Sequence, residues 1–180
     1  MAKTDSFFIR SSLLVGNTNS FVQDNIDLGA YVDALGKSVL RIHNIEYEWA
    51  AGPNATKGTP HGAPFMEPDK ASAAQWQITT QSQTGLVPLS DRSVVGKGIL
   101  FARNPDSGAG GNPPAECYQD SIAPQHFSDG YLVAVEQLFL GGVCGPDWDA
   151  GSDISINVML ECTVETLSQS AAMALALSQQ

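Results

Sequence analysis

Positive charge is scarce in this 180-residue chain: Lys and Arg number 9 against 19 Asp and Glu, giving a formal net charge of −10. The nine basic residues (Lys3, Arg10, Lys37, Arg41, Lys57, Lys70, Arg92, Lys97 and Arg103) are scattered. Binding to a nucleic-acid backbone needs clustered cations, so direct nucleic-acid binding is set aside. Charge of either sign is low, at 16% of residues, against about 25% in an average globular domain. Polarity therefore rests on Ser, Thr, Asn, Gln and Gly, which suits burial between subunits.

Cysteine is also sparse. Cys117, Cys144 and Cys162 form an odd set without metal-like spacing, so free buried thiols are expected rather than a disulfide framework. Long hydrophobic runs are missing as well. Met1 to Gly16 is interrupted by Asp5, Arg10 and Ser11, and Ala171 to Leu177 is too short to cross a bilayer, so neither a secretory leader nor a membrane span is expected. At 43% apolar residues the chain still has enough material for one core, and the expected organisation is a single domain over 1–180.

What is present is period-two patterning. From Ile154 to Thr166, apolar residues at 154, 156, 158, 160, 162 and 164 alternate with Ser155, Asn157, Met159, Glu161, Thr163 and Glu165, which predicts a strand with one buried face. Val39 to Trp49 predicts a long strand with Val39, Ile45, Tyr47 and Trp49 on one face. Its first half is read as covered on both sides, and it is expected to leave the core near Glu46. Tyr131 to Val143 is rich in β-branched and aromatic residues and is expected to stop at Gly141-Gly142. Shorter candidates are Phe21 to Leu28, Trp76 to Gln81, Gly98 to Arg103 and Phe7 to Val15, with an eighth strand sought in Leu86 to Val95. Ile26 to Leu35 reads equally as a short helix, and Leu167 to Leu177 has helix-forming composition.

Two long polar connections, Ala50 to Ala73 and Asn104 to Gln125, hold eight of the ten prolines. Many strands, few helices, long loops and no βαβ alternation predict an all-β fold: a single jelly roll or antiparallel β-sandwich of about eight strands. The expected flanks are a short N-terminal arm, about 1–15, and a C-terminal tail, about 168–180.

Signatures with a mechanical reason for their spacing are missing: no G-x-S-x-G elbow, no H-E-x-x-H zinc helix, no phosphate-binding loop. His43, His61 and His126 stand far apart. Asp147, Asp149 and Asp153 sit at near-alternating positions in a turn, the arrangement of a weak structural cation site; the competing reading is turn geometry. Glu46 with Glu48, and Glu161 with Glu165, are pairs expected on solvated strand faces. Asn54-Ala55-Thr56 is a glycosylation acceptor pattern. No cofactor is implied.

In layout, Phe21-Val-Gln-Asp-Asn-Ile-Asp-Leu28, Val39-Leu-Arg-Ile-His-Asn-Ile-Glu-Tyr-Glu-Trp49 and Ile154-Ser-Ile-Asn-Val-Met-Leu-Glu-Cys162 resemble the single jelly-roll capsid proteins of tailless icosahedral viruses. The resemblance implies a non-enzymatic virion protein, a major capsid subunit that self-associates into a shell and is assembled in the host cytoplasm. Met1 to Ser12 holds only Lys3 and Arg10, unlike the basic genome-binding arms of many coat proteins. That departure points to capsids surrounding an internal membrane, or to a genome condensed by another component. In some archaeal and bacterial viruses of that kind a second jelly-roll protein shares the shell, and the acidic balance fits a salt-loving archaeal host. The competing reading is a carbohydrate-binding or cupin-like β-sandwich with Trp49, Trp76 and Trp148 as stacking residues. The C-terminal tail is expected to dock on a neighbouring subunit.

Overall fold

The computed structural model describes residues 4–33, 37–51, 69–105, 116–146 and 153–179. In chain order the elements are β1 (Phe7–Gly16), β2 (Val22–Asp27), β3 (Ser38–Ala51), β4 (Lys70–Thr79), β5 (Val94–Asn104), β6 (Glu116–Ile122), a 3-10 turn at Pro124–His126, β7 (Tyr131–Val133), β8 (Gln137–Cys144), β9 (Ile154–Thr166) and α1 (Gln169–Ser178). The strands form two antiparallel sheets in the orders β1-β9-β3-β7 and β2-β8-β4-β5-β6. Two facing sheets with the last strand returning between the first and third make a jelly-roll sandwich, as expected.

The core lies between the sheets, built from inward residues such as Leu40, Ile42 and Ile45 of β3, Ile156 and Leu160 of β9, and Trp76 and Ile78 of β4. Trp76 dominates it. Its ring stacks at a tilt on Tyr47 of the other sheet, with centroids 5.1 Å apart, and spreads sideways over β5. There Gly98 carries no side chain; a Cβ at that position would lie 2.7 Å from the indole Cε2. Glycine inside a strand normally weakens it, and here the indole fills the space.

β3 corrects the expected face assignment. Its pairing with β9 shifts between Ile42 and Asn44, so His43 is the extra residue of a β-bulge. The bulge inverts the phase of the alternation. Leu40 and Ile42 before it and Ile45, Tyr47 and Trp49 after it all face the core, while Val39 points to the other side of the sheet. Nor does the strand leave the core near Glu46, since Trp49 and Ala50 are buried at its end.

The double cover expected for the first half of β3 is supplied by α1. Ser168 caps this helix by accepting from the Ala171 amide. Ala172 and Ala176 then pack on Val39 and Ala134, burying a small-residue face. One face of the tail thus packs on the sandwich of its own chain, while Met173 and Leu177 form its exposed side.

Other boundaries move too. Residues 7–16, read both as part of an arm and as a strand, form β1 along β9. Over its described part, Ile26 to Asp33, the stretch expected as a helix is not one: β2 ends at Asp27, and a turn follows in which the Tyr31 and Val32 amides donate to Leu28 O. The Tyr131 to Val143 stretch is two strands, and β8 runs through Gly141-Gly142 to Cys144, with Phe21 and Val15 packed against the two glycines. Residues 86–93 are loop; the strand missing from the sequence reading is β6, within Asn104 to Gln125.

A candidate assembly surface

Among the described residues, the largest concentration of exposed apolar side chains lies on the β5–β6 end of the five-stranded sheet. Along β5, Leu100 and Ala102 point inward and are fully buried, so Ile99, Phe101 and Arg103 point outward. Phe101 pairs with Tyr118 of β6, Ile99 with Asp120, and Lys97 with Ile122. Cross-strand partners share a face, so Phe101, Tyr118, Ile99 and Ile122 form one outward strip. Phe101 is 40% exposed, Tyr118 58% and Ile122 42%. The Tyr118 hydroxyl donates to Asp120 Oδ2 at 3.1 Å, and this carboxylate raises the phenol pKa.

Two loops extend the strip. The 80–93 segment is pinned to the sheet by Gln77, whose Nε2 donates to Gly85 O and whose Oε1 accepts from the Val87 amide, at 3.0 and 2.9 Å. The Lys97 ammonium donates to Val87 O, and partial burial lowers its pKa. These clamps leave Leu89 53% exposed beside Ile122. On the other side, Phe127 follows the 3-10 turn and is 51% exposed.

Its loop is equally fixed. Gln125 grips β3 with both ends of its amide, Oε1 accepting from the Ile45 amide and Nε2 donating to Ile45 O, each at 3.1 Å. Gly130, at φ +66°, lies against Ile42 O, where any Cβ would collide with that carbonyl. Leu89, Val94, Ile122, Phe127 and Tyr131 thereby line a groove of about 500 Å³ continuous with the strip.

The outer face of the four-stranded sheet holds a second, shallower trough of about 500 Å³, with Arg10 on one rim, Glu46 and Glu48 on the other, and Met159 in the floor. Arg10 lies over the Phe8 ring at 5.5 Å. Glu46 and Glu48 are exposed as expected, Glu46 accepting from Asn44 Nδ2. The other expected pair differs. Glu165 is 1% exposed and binds Arg41 through both oxygens, at 2.7 and 2.9 Å, which raises the Arg41 pKa. Arg41 also donates to Asp129 O, tying β9, β3 and the 127–130 loop together.

The remaining sequence candidates do not converge. Asp147 and Asp149 lie outside the described residues; Asp153 is half-buried at the start of β9. Among the described residues no three His, Cys, Asp or Glu side chains are grouped to hold a metal ion. His43 bonds Thr163 Oγ1 at 2.9 Å, His126 Nδ1 accepts from the Ala123 amide, and His61 lies outside the described residues. Cys144 and Cys162 are buried, and burial with the nearby Glu161 pushes Cys162 up to about 12, far from a reactive thiolate. Trp49 and Trp76 are 2% and 0% exposed and so cannot stack on a sugar; Trp148 and Asn54 lie outside the described residues. Among the described residues no helix is long and apolar enough to cross a membrane.

Sequence reasoning missed the surface because Leu89 and Phe127 come from loops. The available signal was Gly98 to Arg103, whose outward positions carry Ile99 and Phe101 where a solvated face would be polar.

No protein-family model and no curated protein sequence matches the chain. Among solved structures it is similar to Desmodium yellow mottle tymovirus, at 10% identity over 92% of this chain and 89% of that one, with a TM-score of 0.34. It is also similar to two structures of Trichodysplasia spinulosa-associated polyomavirus VP1. The one in complex with 3'-sialyllactose shares 11% identity over 88% of this chain and 94% of that one, TM-score 0.33. The one in complex with sialylated precision glycooligomers shares 10% over 89% and 95%, TM-score 0.37.

Proposed function

We propose that this chain is a structural coat subunit, working through contacts with neighbouring subunits in an icosahedral virion shell and not through a reactive pocket. The observation that carries the reading is the continuous apolar strip and groove from Phe101 and Tyr118 to Leu89 and Phe127, held rigid by the Gln77, Lys97 and Gln125 clamps. A patch of that kind on a closed sandwich is the mark of a protein contact. The low charged fraction supports the same reading, because little ionic surface must be desolvated when subunits meet. A second jelly-roll protein in the shell and an underlying membrane complete the proposal, resting on the scarcity of Lys and Arg along the chain.

Size-exclusion chromatography with light scattering, at low and at molar salt, tests it. Trimers, hexamers or larger assemblies, visible as particles by electron microscopy, are the expected outcome. A strictly monomeric protein at high concentration in both salts would overturn it.

A further inference from the structure

Resting on the coat reading, we propose that two copies of this chain join through the free edge of β6, in antiparallel pairing about a two-fold axis at Gln119, making one continuous ten-stranded sheet.

Strand edges in this molecule are treated unequally. The outer edge of β7 is filled by the Gln179 side chain, whose Oε1 accepts from the Ala134 amide and whose Nε2 donates to Leu132 O. The stretch of β3 that β7 does not reach is filled by Gln125. β6 pairs with β5 on one side; outside that ladder its backbone bonds no described residue beyond the strand itself, only the Ser121 amide donating to the adjacent Asp120 Oδ1 at 2.8 Å. It contains no Lys or Pro, the residues that usually block edge pairing.

The register follows from charge and parity. A two-fold axis perpendicular to the sheet pairs residues of equal parity, so that both copies present the same face. Centring on Tyr118 leaves Ser121 and Ile122 with no partner inside β6, and centring on Asp120 sets Asp120 against the partner's Asp120; like charges directly opposite are unfavourable. Centring on Gln119 engages all of β6 and opposes no like charges. Asp120 then meets the partner's Tyr118, the same phenol–carboxylate pairing that the chain already makes within itself. Tyr118 lies diagonal to the partner's Tyr118 and the partner's Ile122, within reach of an aromatic ring.

The area is of the right size. The exposed parts of Phe101, Tyr118, Phe127, Leu89 and Ile122 total roughly 400 Å², taking 150–250 Å² for each aromatic side chain. One side of a standard interface buries about 800 Å², a little over half of it apolar.

The test uses the full chain. Gln119→Cys under mild oxidation should give a dimer linked through position 119, mapped by mass spectrometry. The unsubstituted chain and a Ser170→Cys control on exposed α1 should give several-fold less. Tyr118→Asp and Ile122→Asp should each weaken the dimer at least ten-fold by sedimentation, with unchanged melting temperature. Assembly that persists undiminished in both Asp variants, or cross-linking no greater than in the control, overturns the β6 contact and leaves the coat reading standing. An unsubstituted chain that is monomeric throughout overturns both.

Discussion

Gln179 offers the sharpest test of how the sandwich is closed. Its side chain accepts from the Ala134 amide at 2.9 Å and donates to Leu132 O at 2.6 Å, as a neighbouring strand would. Its own carbonyl accepts from Thr80 Oγ1 at 2.8 Å and Gln81 Nε2 at 3.2 Å, so one residue links both sheets. Gln179→Ala keeps the second pair of bonds and removes the first, stranding an amide on the fully buried Ala134 and a carbonyl beside it. An unsatisfied buried polar group costs about 1–3 kcal/mol, so the expected loss is about 3 kcal/mol, or roughly 6–12 °C in melting temperature for a chain of this size. Urea unfolding by linear extrapolation would measure it, and hydrogen exchange at the Ala134 amide would localise it. Gln179→Glu sharpens the argument. A carboxylate still accepts from Ala134 but presents an acceptor to Leu132 O, so its deficit should match that of Ala at pH 7 and shrink as pH falls through the carboxyl pKa, where a donor returns. A loss below about 0.5 kcal/mol for the Ala variant, or a pH-independent Glu variant, would refute the view of Gln179 as a surrogate strand.

Gly98→Ala should destabilise by about 1–3 kcal/mol, the usual cost of overpacking, because the methyl would overlap the Trp76 indole; near-UV circular dichroism should register the displaced ring. Arg41→Met should cost about 3–5 kcal/mol by taking the guanidinium away from the buried Glu165 carboxylate, while the double change with Glu165→Met should recover most of that in chemical denaturation. Stability should also fall at alkaline pH. Cys162 is held at about 12 against an ordinary 9.0, so the folded state keeps a proton that the unfolded state gives up. This contribution is complete below pH 9 and is lost between pH 9 and 12, at most roughly 4 kcal/mol at 1.36 kcal/mol per unit. Burial raises Tyr47 and Tyr131 also, adding to the decline above pH 10. Urea midpoints at pH 8 and 10, with Cys162→Ala flattening the difference, would check the sign.

The strands most legible in the sequence are those whose two faces meet different environments. The expected strand from Ile154 to Thr166 matches β9 to the residue, because every inward position is apolar. Yet burial on its outer face is invisible in the alternation: Ser155, Thr163 and Glu165 are polar and still buried, Thr163 bonded to His43 and Glu165 to Arg41, partners that a period of two cannot reveal. In β3 both phases are partly apolar, since one half is covered on both sides, so no break marks the bulge at His43 and Val39 reads in phase with Ile45. β6 escapes notice for the opposite reason. An edge strand exposed on its outer face can be mostly polar, and Glu-Cys-Tyr-Gln-Asp-Ser-Ile between proline-rich stretches carries no alternation strong enough to read. The apolar strip joins this strand to two loops, so it exists only once the chain has folded.

The same amide chemistry that ends one sheet marks where another can continue. A strand edge left to water exposes alternating donors and acceptors, which invite pairing. Here Gln125 and Gln179 each supply a donor and an acceptor from a single planar group, matching the spacing that a strand would present. Such plugs close an edge without adding charge, consistent with a chain in which only 16% of residues are charged. They stand on β3 and β7, in the four-stranded sheet. On the five-stranded sheet the β6 edge has no such plug among the described residues, and the apolar strip lies alongside it. With amides filling the β7 edge and the adjoining stretch of β3, and no amide plug on β6 among the described residues, an unfilled strand edge and an apolar strip fall together at one end of the five-stranded sheet.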